Sequence, residues 1–153
     1  MTEFPNYQPD GGKTIHFEYL KHLPFSLAED IVSQWLLDSC HAESRAVLSI
    51  TVVFCSDPYL QEINSRYLDK ECYTDIIAFP YQNNPIEGDL FVSIDRVIEN
   101  AREYGNGEVT QELYRVLIHG VLHLCGYEDK EDADRQQMTK QEDLYLQNLS
   151  IFS

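Results

Sequence analysis

The sequence predicts a single α+β domain, one mixed four-stranded sheet with helices packed on it, and three observations carry that prediction. Segments of strand-like and helix-like pattern follow one another in the order β-α-β-α-β-β-α-α-α, mixed rather than strictly alternating. The two strand-like segments over 74–94 are separated only by QNNPIE, a turn sequence, so they read as an antiparallel hairpin beside strands joined through helices. The chain has 153 residues, which suits one core.

Taken in order, residues 1–12 are rich in Pro, Asn, Asp and Gly and are expected to be flexible, leaving 13–153 as the domain. KTIHFEYL (13–20) alternates Ile15, Phe17 and Tyr19 with polar neighbours, a strand of period two. SLAEDIVSQWLLDSCHAE (26–43) reads as a helix capped by Ser26, with Leu27, Ile31, Trp35 and Leu36 on its apolar face. AVLSITVVFCS (46–56) is β-branched and apolar, a central strand. DPYLQEINSRYL (57–68) opens with Asp57 as N-cap and Pro58 at the first helical position. TDIIAFPY (74–81) and GDLFVSI (88–94) are the hairpin strands. DRVIENAREYG (95–105) is a helix ended by Gly105. TQELYRVLIHGVLHL (110–124) and KEDADRQQMTKQEDLYLQNL (130–149) complete the series, the last with acids in its first turn.

Hydrophobic residues make up 43% and charged residues 24%, as in ordinary globular proteins. No stretch approaches the roughly 20 apolar residues that span a bilayer, and the N-terminus has no apolar core of a signal peptide. A cytoplasmic location and no membrane partner are expected. Cys40, Cys55, Cys72 and Cys125 form no CxxC pair and are expected to be reduced and structural. Eleven Lys and Arg against 26 Asp and Glu give a net charge of −15, which argues against DNA and against any binding that rests on neutralising phosphates. RNA remains open only if cations or a metal gather at one site.

HGVLHLCGYEDK (119–130) offers such a site. His119 and His123 are four apart on a helix, so both project from one face a single turn apart. Gly126 stands where a left-handed residue ends a helix, and the reversal returns the following residues towards the histidines. Asp129 would then arrive as a third, oxygen ligand, with Glu128 its nearest competitor. Two imidazoles and a carboxylate leave a fourth position for water, the plan of a catalytic zinc site. The residues alone leave a second reading open: core histidines on an apolar helix, with Asp129 capping the helix that follows.

HGVLHLCGYED resembles the HGxLHLxGYDH signature of the YbeY family, metal-dependent endoribonucleases tied to ribosomal RNA maturation and ribosome quality control. INSRYLDKECYTDIIAFP (63–80) resembles the family's LN…TDVLSFP segment, GDLFVSIDRV (88–97) its GDIVIS strand, and ELYRVLIHG its lead-in to the histidines. The resemblance runs from about residue 47 to 130, with the four motifs in order. It implies a metal-binding helix near the C-terminal end, one Zn²⁺ held by His119, His123 and the residue aligned with the family's third histidine, here Asp129. An oxygen ligand in that place also admits another divalent ion such as Mn²⁺.

A second departure falls at Leu68, where the family carries an arginine implicated in catalysis. Two arginines are weighed as its replacement. Arg66, two residues earlier, points about 200° away on a continuous helix and serves only if the helix unwinds. Arg115 is one turn before His119, within reach of a phosphate at the metal or, alternatively, of Glu112. Thr74 and Asp75 match the family's motif and serve either the site or a turn.

The expected function is a metal-dependent endoribonuclease of ribosomal RNA, partnered by the small ribosomal subunit or its assembly factors. A non-catalytic ribosome-assembly factor that keeps the metal is the alternative, favoured by Leu68 and Asp129. A zinc metalloprotease shares the histidine spacing but needs Glu after the first histidine, where this chain has Gly120.

Overall fold

The computed structural model describes residues 14–68, 74–105 and 107–149. The segment 1–12, expected to be flexible, and Cys72 lie outside the described residues. Among those residues the elements are β1 (Ile15–Tyr19), α1 (Glu29–Ala42), β2 (Val47–Cys55), α2 (Asp57–Leu68), β3 (Ile76–Asn83), β4 (Ile86–Ser93), α3 (Ile94–Tyr104), α4 (Val109–Leu124) and α5 (Asp132–Gln147).

The strands form one sheet in the order β1-β2-β4-β3. β2 is parallel to both β1 and β4, and β3 is antiparallel to β4, so the sheet is mixed and the hairpin is present. Alternation along the strands sorts the two faces. Ile50, Val52 and Phe54 of β2 and Leu90 and Val92 of β4 join α1 and α4 in the main core, while Cys55, Ile77, Phe79 and Phe91 meet Leu60 and Ile63 of α2 on the other face. β3, an edge strand, tolerates Pro80 because one side of its ladder has no partner among the described residues. No described helix is long and apolar enough to cross a membrane. Cys40, Cys55 and Cys125 are buried free thiols.

Three local expectations shift. α1 starts at Glu29 with Ala28, not Ser26, at its N-cap, and its buried stripe is Val32, Trp35, Leu36, Ser39 and Cys40. That stripe follows i, i+3, i+4, i+7, i+8, which turns Ile31 outward to 42% exposure. At α2 the cap is Ser56, whose Oγ accepts the Tyr59 N–H at 3.2 Å. Asp57 is instead engaged by tertiary partners, accepting from Ser93 Oγ (2.9 Å) and from Arg96 Nη2 (2.7 Å).

α4 lies directly on the hairpin, and Gly120 permits the approach. A Cβ there would stand 2.5 Å from Ile76 Cδ1 and 3.0 Å from Leu90 Cδ2. A side chain there would force the ends of Ile76 and Leu90 to repack. Gly120 is buried against the sheet, and its neighbour Ile76 also lines the cavity of the histidines.

Candidate metal centre

α4 ends in a Schellman turn. Gly126 has φ +106°, the Gly126 N–H donates to the His123 carbonyl (3.0 Å), and the Tyr127 N–H donates to the Leu122 carbonyl (3.0 Å). The chain then doubles back, and Arg135 holds the returning loop by donating from Nη1 to the carbonyls of Asp129 (3.3 Å) and Lys130 (2.9 Å). Tyr127 is anchored by donating its hydroxyl to Glu43 Oε1 at 2.9 Å. Burial and the Glu43 charge push that phenol up to about 12, so it stays a donor near neutral pH.

The outcome is a triangle of three potential ligand atoms. His119 Nε2 and His123 Nε2 are 3.1 Å apart, and Asp129 Oδ2 is 3.2 Å from the first and 3.4 Å from the second. An ion bound tetrahedrally at about 2.0–2.1 Å has its ligand atoms about 3.3 Å apart. These residues fit one. Glu128 does not join them; it lines a separate cavity with Glu43, Arg45 and Cys125. Asp129 does not cap α5, whose N-cap is Glu131.

The far nitrogens fix the tautomers. His123 Nδ1 is 3.0 Å from the Tyr127 carbonyl oxygen, which only accepts, so Nδ1 carries the proton and Nε2 is bare. His119 Nδ1 donates to Glu142 Oε2 at 2.6 Å. Two lone pairs thus face each other across 3.1 Å beside a carboxylate, an arrangement that calls for a cation. Without a metal that cation is a proton. Burial opposes a charged His119, but the Glu142 hydrogen bond and the charges of Glu142, Asp129 and Asp75 outweigh it and raise the His119 pKa.

Glu142 was not visible as a site residue in the sequence. It lies on α5 with its side chain only 7% exposed, and its other oxygen accepts from Arg115 Nη1 at 2.8 Å. A signal was present: Met138, Glu142 and Tyr145 are all buried at helical spacing, so one acid sits in an apolar stripe.

The triangle opens on a cavity of about 470 Å³, lined also by Asn64, Leu68, Thr74, Asp75 and the β3 edge to Pro80. Asp75 accepts from Asn100 Nδ2 at 3.4 Å. Burial raises its pKa, against the pull of the neighbouring His119. Leu68 puts an apolar side chain in the cavity wall. Neither weighed arginine lines this cavity. Arg66 stays on the unbroken α2, 62% exposed, paired with Glu62 at 2.7 Å. Arg115 is paired not with Glu112 but with Glu142 and, through Nη2, with Asp143 at 2.7 Å.

The YbeY family model, described as Endoribonuclease YbeY, matches residues 18–150. The chain is 44% identical over 131 residues to the Endoribonuclease YbeY of Flavobacterium johnsoniae, covering 84% of this chain and 92% of that one. It is 43% identical over 117 residues to the protein of the same name from Cytophaga hutchinsonii, covering 75% and 81%. The solution structure of TM1509 from Thermotoga maritima superposes with a TM-score of 0.60 at 26% identity, covering 87% of this chain and 88% of that one. With matches spanning most of its length and the histidine helix in place, the chain belongs to the YbeY family.

Proposed function

We propose that this protein is a metal-dependent endoribonuclease that cleaves single-stranded ribosomal RNA in the cytoplasm, using one Zn²⁺ held by His119, His123 and Asp129. The single observation that carries the reading is the triangle of ligand atoms with edges of 3.1, 3.2 and 3.4 Å at the mouth of an open cavity. Relatives named as endoribonucleases supply the reaction class. When bound, such an ion polarises a phosphoryl oxygen or lowers the pKa of the attacking water. Asp129 and the two imidazoles leave a formal charge of about +1 with Zn²⁺, attractive to a phosphodiester. Thr74, Asp75 and Asn64 offer polar side chains along the cavity for positioning the backbone of the strand. Partners of this chain on the small ribosomal subunit would bring an acidic enzyme to its RNA.

A second reading is favoured by Leu68: with an apolar residue in the wall, the protein binds metal and ribosome but does not cleave. The test is cleavage of a ribosomal RNA fragment by zinc-loaded protein. Cleavage that is lost in His119→Ala supports the nuclease. Intact RNA, with stoichiometric zinc and co-sedimentation with the small subunit, supports the second reading.

A further inference from the structure

Glu142 is a buried carboxylate with both oxygens committed. Oε2 accepts from His119 Nδ1 at 2.6 Å, and Oε1 accepts from Arg115 Nη1 at 2.8 Å. Arg115 does not rest on Glu142 alone, since Nη2 donates to Asp143 Oδ1 at 2.7 Å. One guanidinium thus straddles two successive acids of α5 and aims one of them at a metal-ligating imidazole. A carboxylate buried to 5% exposure is costly without such partners. Its presence in the apolar stripe of α5 asks for a use that packing does not supply.

We infer that Glu142 is a positioning residue for the metal centre, and that Arg115 serves it as the anchor that keeps the carboxylate aimed at His119. The inference rests on the metal-site reading above. The physical reason is specific to the atoms. Glu142 fixes the His119 tautomer with the proton on Nδ1, which leaves the Nε2 lone pair for the ion. It also fixes the plane of the ring and makes the nitrogen a stronger donor. His123 has only a carbonyl in the corresponding place, so the two imidazoles are unequal and His119 is the stronger ligand. Arg115, by engaging Oε1, prevents the carboxylate from turning to solvent. A planar fork with two donors on two acids does this, and a lysine ammonium does not reproduce it.

Glu142→Gln tests the idea. A glutamine has one accepting oxygen and one donating NH₂ group in place of two accepting oxygens, so it satisfies either His119 or Arg115 and opposes the other. Asp143→Asn is the control: it weakens an Arg115 contact on the same helix without touching His119. Affinity for Zn²⁺ is read by competition with a chelator, and the coordination by the visible spectrum of the Co²⁺ form. The expected result is a loss of about 10- to 100-fold in affinity for Glu142→Gln, an altered Co²⁺ spectrum, and a clearly smaller loss for Asp143→Asn, which loosens the Arg115 anchor but leaves the carboxylate on His119. ¹⁵N shifts of His119 in the metal-free protein at alkaline pH should show the Nδ1–H tautomer in the wild type and a mixture of the Nδ1–H and Nε2–H tautomers in the variant. Circular dichroism confirms that each variant is folded, and Glu142→Asp, which keeps the charge, should recover part of the affinity if Glu142→Gln folds poorly.

Equal affinity of Glu142→Gln and wild type, with an unchanged His119 tautomer, overturns the inference. An equal loss in Glu142→Gln and Asp143→Asn also overturns it, because the pair then only pins α5 to α4. A wild type that binds neither Zn²⁺ nor Co²⁺ instead overturns the metal-site reading.

Discussion

His123 Nδ1 sits 3.0 Å from the carbonyl oxygen of Tyr127, a residue beyond the end of the helix that carries the histidine. The turn that ends α4 therefore orients one proposed ligand and delivers another, Asp129. Both depend on Gly126, whose φ of +106° excludes a side chain without strain. Gly126→Ala should cost about 1–2 kcal/mol of stability and weaken zinc binding beyond that cost, because the Tyr127 carbonyl and Asp129 move together. Urea denaturation and zinc titration of the same sample check the two effects.

Asp129→His should keep a zinc site, since a histidine stands there in the resembled family and nitrogen suits zinc. The exchange from oxygen to nitrogen should also lower the tolerance for Mn²⁺. Asp129→Ala should lose the metal. Elemental analysis of protein purified without a metal-affinity tag reads all three forms; retention of a full equivalent of zinc by Asp129→Ala would return the carboxylate to a structural role.

Asp75 carries a pH dependence with a definite sign. Burial raises its folded pKa above the ordinary carboxylate value. A raised folded pKa means that the folded state holds the proton more tightly than the unfolded state. Its contribution is thus most favourable below the ordinary value and is lost as pH rises through the raised one. Asp75→Asn removes that loss, keeps an acceptor for Asn100, and should raise the melting temperature of the metal-free protein at neutral pH while leaving it nearly unchanged in acid. A lower melting temperature for the variant at neutral pH would show that the ionised carboxylate is stabilised there.

Gly120→Ala should destabilise by about 1–3 kcal/mol through overpacking against Ile76 and Leu90. Ile76 also lines the cavity of the histidines, so its displacement should lower zinc affinity in the same variant. Differential scanning calorimetry with and without zinc separates the two losses.

The metal triangle was legible because its grammar is local. Two histidines one turn apart, a glycine at the helix end and an acid three residues later lie in one window of sequence, and each step follows from helix geometry. Glu142 was not legible because its role depends on which face of α5 meets α4, a long-range packing outcome. Arg115 shows the same limit from the other side. Its one-turn spacing from His119 puts it on the same helix face, but the acids that claim its guanidinium come from α5. The shift at α2 has a comparable cause. Asp57 followed by Pro58 looks like a cap, yet Ser93 and Arg96 draw its carboxylate into a tertiary network and Ser56 caps instead. Strand order was legible only where neighbours in sequence pair, as in β3 and β4, while the parallel pairing of β2 with β4 had no sequence signal.

Among the described residues, Arg66 and Arg115 are both neutralised by neighbouring acids and Leu68 adds no charge to the cavity wall, so neither arginine offers a polyanion long-range attraction there. On a chain of net charge −15, two negative partners must approach against a repulsive field. Salt screens that field over a Debye length of about 10 Å at 0.1 M. The encounter of this protein with free RNA should therefore quicken as salt is added, the reverse of a nuclease that binds through a basic groove.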